Sequence, residues 1–122
     1  MRDFRNLKVY NQSIEFVIAV YNCCKQFPKT ELFGLTQQIK SCAVSIPSNI
    51  SEGCSRDSSK EFSRFIQIAL GSCFELETQL TISNRLNYLT DTSLLQELTI
   101  IQKRLNALNR SILRVPSKDQ RP

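Results

Sequence analysis

The lysines and arginines near the C-terminus are the side chains whose type and spacing point most directly to a chemistry. Residues 1–102 carry ten Lys or Arg and ten Asp or Glu, so the net charge of +5 arises entirely within residues 103–122. Clustered positive charge favours an acidic partner such as nucleic acid. Four residues of this segment are therefore candidate phosphate contacts: Lys103, Arg104, Arg110 and Arg114.

The spacing of these residues indicates what contact they could make. Lys103, Arg110 and Arg114 share one helix face because they are separated by seven and eleven residues. No aromatic residue lies between them, so the segment predicts contact with RNA or DNA backbone and not stacking on bases. An alternative interpretation needs no ligand, since Lys and Arg near the end of a helix also complement its dipole.

Residues that usually carry catalysis or bind metal are missing. The chain has no histidine, and its five cysteines form no Cys-x-x-Cys pair. Glu75 and Glu77 lack the Glu-x-x-His partners of di-iron bundles. The cysteines, expected to be reduced core residues, are Cys23, Cys24, Cys42, Cys54 and Cys73. The sequence predicts no enzyme activity, no metal site and no cofactor.

The apolar spacing predicts four helices that would position these side chains. In four segments, apolar residues recur at steps of three and four, which is typical of one buried helix face. The predicted faces are Leu7, Tyr10, Ile14, Val17, Tyr21, Cys24 and Phe27; Leu35, Ile39, Cys42, Ile46 and Ile50; Phe62, Ile66, Ala69, Cys73, Leu76, Leu80 and Ser83; and Leu94, Leu98, Ile101, Leu105, Leu108 and Ile112.

Signals for helix ends separate these segments. Gly53 is expected to end the second helix. Ser58 and Glu61 have the spacing of a capping box at the start of the third. Thr90 or Thr92 could cap the fourth.

The four faces predict one all-α domain, an antiparallel up-down-up-down four-helix bundle. Pro116 is expected to end the last helix, which gives a bundle at residues 1–115 and a flexible tail at 116–122. No stretch approaches the roughly 20 apolar residues of a membrane span, and no apolar signal segment follows the first residues. We expect a cytoplasmic protein without a membrane partner.

Polar and small residues inside the second and third helices depart from this pattern. Proline within a helix costs about 3 kcal/mol, so Ser48 or Asn49 is expected to bond backbone groups freed by Pro47. Gly71 and Ser72 would let another backbone approach closely. These five residues are candidate structural or interface positions. They could pack the second helix on the third, or face a partner subunit or ligand.

Three motifs give the sequence a family resemblance: Ser-Ile-Pro-Ser-Asn-Ile at 45–50, Ala-Leu-Gly-Ser at 69–72 and Glu-Leu-Glu-Thr at 75–78. Further matching stretches are residues 4–7, 9–10, 34–39, 43–44, 51–53, 61–68, 79–80 and 86–89. Together they resemble the four-helix-bundle proteins encoded in intervening sequences of bacterial 23S ribosomal RNA genes.

The resemblance implies a left-handed bundle that is often assembled as a ring-shaped homopentamer and has no established enzymatic activity. A related branch comprises the accessory proteins of diversity-generating retroelements, which pair with a reverse transcriptase and have basic surfaces. This sequence departs from the family at Lys40 and Ser41, where relatives commonly carry two basic residues, and at Cys42, where they usually carry Ala. The departure weakens the case for a basic surface on the second helix.

Two functional hypotheses follow. The first is a non-enzymatic assembly protein that binds nucleic acid through a basic surface of a homo-oligomeric ring. The alternative is a structural or protein-interaction accessory protein that docks on a polymerase-like partner without touching nucleic acid.

Overall fold

Four α-helices make up the computed structural model, which describes residues 2–114. They are α1 (Lys8–Cys24), α2 (Leu35–Cys54), α3 (Ser59–Arg85) and α4 (Ser93–Arg114). Short 3-10 turns at Phe4–Asn6 and Lys29–Glu31 precede α1 and α2, and residues 2–114 contain no strand. The predicted all-α, four-helix fold is confirmed. The tail predicted at 116–122 lies outside the described residues.

Side-chain oxygens fix where α3 and α4 begin. The backbone N–H of Glu61 donates to Ser58 Oγ at 3.1 Å, which confirms the predicted cap of α3. At α4 the backbone N–H of Ser93 donates to Asp91 Oδ1 at 2.9 Å. The capping side chain of α4 is therefore Asp91, and not Thr90 or Thr92 as the sequence suggested.

The faces predicted for α2, α3 and α4 form the core. Every predicted residue of the α3 face is buried, as are those of α2 except Leu35 and of α4 except Leu108, both half-buried. Burying each large apolar side chain contributes roughly 1.5–3 kcal/mol. The largest fully buried side chains include Phe16, Ile39, Ile46, Ile50, Ile66, Leu76, Leu80, Leu98, Ile101 and Leu105.

The buried face of α1 is not the predicted one. Its buried residues are Val9, Ser13, Phe16, Val20 and Cys24. The predicted residues before Cys24 lie to one side of this face: most are half-buried, and Tyr21 is 42% exposed. The true face was missed because a serine interrupts it. Ser13 Oγ donates to the Tyr10 carbonyl at 2.7 Å, so its hydroxyl is satisfied within the core.

α2 and α3 approach each other closely at Gly53, which lies inside α2 one residue before its end. A Cβ added at Gly53 would lie 2.9 Å from Phe65 Cβ and 3.0 Å from Phe62 Cδ1. Gly71 differs: it is exposed, and an added Cβ would meet no atom of the described residues within 4 Å. The sequence predicted a close approach at Gly71. It occurs instead at Gly53, which was expected only to end the second helix.

Contacts along the bundle join one end of a helix to the opposite end of the next helix. Lys40 Nζ, early in α2, lies 4.8 Å from the ring centroid of Tyr21, late in α1. Ser63 Oγ, early in α3, donates to Asn109 Oδ1, late in α4, at 2.6 Å. These contacts are compatible with the antiparallel order, which stays a prediction together with the left-handed twist. None of the described helices has the length and hydropathy needed to cross a membrane.

Candidate nucleic-acid interface

The four basic residues predicted on α4 do not share one surface. Lys103, Arg110 and Arg114 are exposed, on the side of the helix away from the core. With a rise of 1.5 Å per residue, the first two are about 10 Å apart along the axis and the last two about 6 Å apart. Arg104 points elsewhere: it is half-buried, and its Nη1 donates to Gln12 Oε1 of α1 at 2.6 Å.

The end of α4 that carries Arg110 and Arg114 lies beside the beginning of α3, since Ser63 bonds Asn109. The N-terminal segment reaches the same end of the bundle: the backbone N–H of Arg2 donates to the carbonyl of Cys54, the last residue of α2, at 3.2 Å. Three chain segments therefore meet at one end. They are the start of the chain, the turn between α2 and α3, and the end of α4.

Arginines at this end lie over phenylalanine rings, an arrangement absent from the sequence predictions. The Cζ atoms of Arg2, Arg5 and Arg56 lie 4.5, 4.7 and 4.7 Å from the ring centroids of Phe62, Phe4 and Phe65, respectively. Arg64 Cζ lies 5.9 Å from the Phe65 ring. At such distances the ring quadrupole attracts the cation. These arginines are therefore held in position before any ligand arrives.

We name this surface the basic end. Its residues are Arg2, Arg5, Lys8, Arg56, Lys60, Arg64, Arg110 and Arg114. Three of the arginines pair with neighbouring carboxylates: Arg5 with Asp3 at 3.4 Å, Arg56 with Glu52 at 3.3 Å and Arg64 with Glu61 at 3.6 Å. Exposed pairs of this kind contribute little stability, so a phosphate could replace the carboxylates at small cost.

Charge is unevenly distributed along the bundle. Residues 2–8, 52–64 and 110–114, which form the basic end, carry eight Lys or Arg and four Asp or Glu. Residues 20–40 and 75–97, at the other end, carry four Lys or Arg and five Asp or Glu. Electrostatic attraction for a polyanion is therefore concentrated at one end of the molecule.

The sequence contained a signal for this cluster that an overall count concealed. Residues 1–102 sum to zero charge, yet the basic residues at 56, 60 and 64 recur at steps of four around Phe62 and Phe65. Lys60 and Arg64 share one face of α3 because they are four residues apart, and Arg56 lies just before that helix, in the turn after α2. The contribution of Arg2 and Arg5 could not be seen in this way, because it depends on the N-terminal segment crossing the end of α2.

The polar residues around Pro47 bond within α2. Asn49 Nδ2 donates to the Ser45 carbonyl at 2.7 Å, and Ser48 Oγ donates to the Val44 carbonyl at 2.9 Å. The carbonyl that Pro47 leaves without its N–H partner is that of residue 43, four positions earlier. Ser48 and Asn49 therefore bond the carbonyls of residues 44 and 45, and not the carbonyl of residue 43 that Pro47 leaves without a partner. α2 continues through Pro47 to Cys54.

Ser72 lies in an open groove between α2 and α3. The hydroxyl oxygens of Ser45 and Ser72 are 2.6 Å apart, and Cys42 Sγ donates to the Ser72 carbonyl at 3.1 Å. The groove has a volume of about 480 Å³ and also includes Phe33 and Glu75. Ser72 thus connects α3 to α2, whereas its neighbour Gly71 faces outward.

A second surface is apolar and open. We name it the apolar groove; it has a volume of about 230 Å³, and its apolar lining is Tyr10, Ile14, Val17, Ile18, Val44 and Pro47. Ile18 is 51% exposed. Beyond Tyr21, in the loop before α2, Phe33 is 88% exposed. Apolar side chains exposed in this number are typical of an interaction surface.

The cysteines are structural. All five are free, and burial raises the pKa of the Cys42 thiol to about 11 and that of Cys73 to about 12. Such thiols are protonated at neutral pH and poor nucleophiles. Within residues 2–114, His, Cys, Asp and Glu form no group of three that could hold a metal ion.

Comparison with known proteins agrees with this architecture. A crystal structure of a protein of unknown function from the S23 ribosomal protein family of Bacteroides thetaiotaomicron VPI-5482 is similar to the chain, with 25% sequence identity and a TM-score of 0.63. The alignment covers 86% of this chain and 94% of that one. No curated protein matches the chain. The family model described as 23S rRNA-intervening sequence protein matches residues 5–109. With the four helices and nearly the whole chain matched, this protein belongs to the 23S rRNA-intervening sequence protein family.

Proposed function

We propose that this protein is a non-enzymatic assembly protein that binds the RNA or DNA backbone through its basic end. The observation that carries the proposal is the gathering of eight Lys or Arg from three chain segments at one end of the bundle. Phosphate contacts of this kind supply affinity without sequence preference. The α4 residues Arg110 and Arg114 belong to this surface, while Lys103 lies on the same helix face farther from the end.

Self-association is part of the proposal. The apolar groove, together with exposed Tyr21 and Phe33 (42% and 88%), offers a surface that a second copy would cover. We propose a cytoplasmic homopentameric ring, the assembly that the family resemblance implies. A closed ring would repeat the basic end five times, and simultaneous contact by several copies raises overall affinity without any new type of contact.

Paired charge variants test the location of the binding surface. Arg110→Gln with Arg114→Gln removes two charges at the basic end, and Lys25→Gln with Lys29→Gln removes two at the other end. Fluorescence anisotropy with a labelled oligonucleotide should show weaker binding and a salt slope reduced by roughly 1–2 for the first variant only. Equal effects of the two variants would contradict a localised surface.

The alternative function is docking on a protein, such as a reverse-transcriptase-like polymerase, without nucleic-acid contact. The observation that favours it is Phe33, 88% exposed beside the open groove between α2 and α3. A tagged protein purified from its native host with nuclease treatment would then retain the polymerase, and Phe33→Glu would lose it. Recovery of RNA alone would count against this alternative.

A further inference from the structure

The guanidinium groups at the basic end are fixed as well as charged. Arg2 is held by its backbone N–H bond to the Cys54 carbonyl at 3.2 Å, by Nη1 donating to the Arg56 carbonyl at 3.4 Å, and by the Phe62 ring beneath it. The Phe62 ring is 2% exposed, so Arg2 covers it. The Arg2 guanidinium carbon lies 4.5 Å from the centroid of that ring, and Arg2 itself is exposed at the surface.

Arg5 and Arg56 are held in the same manner. Arg5 Nη1 bonds Asp3 Oδ1 at 3.4 Å above the Phe4 ring. Arg56 Nη2 bonds Glu52 Oε1 at 3.3 Å above the Phe65 ring. The side chains of Arg5 and Arg56 nevertheless remain 73% and 41% exposed. Three planar cations therefore each keep an outer side open at one end of the bundle.

A fixed guanidinium plane offers more to a nucleic acid than its charge does. Its outer face can stack on a nucleobase while its N–H groups bond phosphate, which a lysine ammonium cannot do. Bases within a duplex are already stacked on each other and present no free face. Fixing the side chains in advance also reduces the entropy that binding loses.

We propose that the basic end prefers unpaired nucleotides, whose bases stack on the outer guanidinium faces of Arg2, Arg5 and Arg56. This inference rests on the proposed function and names its substrate class: single-stranded or looped RNA or DNA. It also revises the expectation of backbone contact alone, which was drawn from α4, where no aromatic residue interleaves with the basic ones.

The test compares one labelled strand, its perfect duplex, and a strand of the same length with abasic sites, each as RNA and as DNA. Wild-type protein should bind the intact strand about tenfold or more tightly than the abasic strand, because stacking on a side chain strengthens binding by about that factor per base. The duplex should also bind more weakly than the intact strand, because its paired bases offer no free face for stacking. The preference for the intact strand should appear in both RNA and DNA, since their bases present the same faces for stacking.

Lysine substitutions then distinguish the effect of the planar guanidinium group from the effect of its positive charge. Arg2→Lys, Arg5→Lys and Arg56→Lys, combined, keep the charge and remove the planes, so affinity for the intact strand should fall more than affinity for the duplex, and the single-strand preference should move toward one. The matched control, Arg110→Lys with Arg114→Lys, should keep the preference. Circular dichroism verifies folding, and Arg5→Lys alone, at a 73% exposed side chain, gives a milder variant.

The outcomes distinguish this inference from the function on which it rests. Salt-sensitive binding with equal affinity for intact strand, abasic strand and duplex would overturn the stacking inference and leave the proposed function standing. A preference confined to one sugar would also overturn it, because contact with the 2′-position would then explain the difference. Absence of binding to all the probes would overturn both.

Discussion

Gly53 and Gly71 are both helical glycines with opposite surroundings, and their substitution tests the packing of α2 on α3. Gly53→Ala places a methyl group 2.9 Å from Phe65 Cβ and 3.0 Å from Phe62 Cδ1. We expect it to lower the free energy of unfolding by about 1–3 kcal/mol, the usual cost of overpacking. Urea denaturation of the two variants beside wild type measures the effect.

Gly71→Ala is the matched control. Its added methyl group meets no atom of the described chain within 4 Å, so the gain in helix propensity should raise the free energy of unfolding by about 0.5–1 kcal/mol. Two alanine variants of equal stability would show that α2 and α3 are not as close at Gly53 as the structure has them.

The Cys73 thiol predicts a loss of stability in alkaline solution. Burial and the nearby Cys42 raise its pKa from the usual 9.0 to about 12. Above about pH 9 the unfolded chain gives up this proton while the folded chain keeps it, so the free energy of unfolding falls as the pH rises toward 12. Below about pH 9 both states hold the proton and the contribution is constant.

The Cys73→Ala variant isolates this effect from other groups that titrate in the same range. Urea denaturation at about pH 8 and about pH 11 should show a smaller alkaline loss for the variant than for wild type. An equal loss in both proteins would assign the alkaline sensitivity to another group.

At the scale of the elements, periodicity located all four helices but not every buried face. For α3 the predicted face was correct throughout, because one apolar stripe repeats without interruption. α1 has two adjacent stripes, and the buried one contains Ser13, whose hydroxyl is satisfied by the Tyr10 carbonyl at 2.7 Å. A side chain bonded to its own helix has no separate signature in the sequence.

A pair of truncations tests which face of α1 is buried. Phe16 is 2% exposed and Tyr21 is 42% exposed. We expect Phe16→Ala to lower the free energy of unfolding by about 3–5 kcal/mol and Tyr21→Ala by less than about 1 kcal/mol in dilute protein. If chemical denaturation shows a larger loss of stability for Tyr21→Ala than for Phe16→Ala, α1 buries the face that periodicity predicted.

The candidate interface shows the same limit of sequence reasoning. The exposed positions of Lys103, Arg110 and Arg114 on α4 follow from helix spacing, a local property. Arg104 departs from them because Gln12 of α1 accepts its hydrogen bond at 2.6 Å. Contacts between distant segments, which also place the N-terminal arginines beside the start of α3, cannot be read from spacing.

At the scale of the whole molecule, the apolar groove and Phe33 predict self-association. Light scattering should give the mass of five protomers of 14.0 kDa, and Phe33→Glu, at an 88% exposed position, should reduce it. Ile100→Glu on α4 is the control, since Ile100 is 44% exposed and lines neither the apolar groove nor the groove that includes Phe33. A wild-type mass of one protomer would remove the ring from the proposal.

The charge difference between the two ends of the bundle is the basis of the central claim, and the salt dependence of binding tests it most directly. The measurement is the affinity of the wild-type protein for a labelled single strand, titrated between about 50 and 200 mM salt. The basic end carries eight Lys or Arg against four Asp or Glu. If this excess of four positive charges makes four phosphate contacts, the slope of log K against log salt should be near −3, since each contact on a single strand contributes about −0.7. An affinity that stays flat across this range would contradict phosphate contact and, with it, the proposed function.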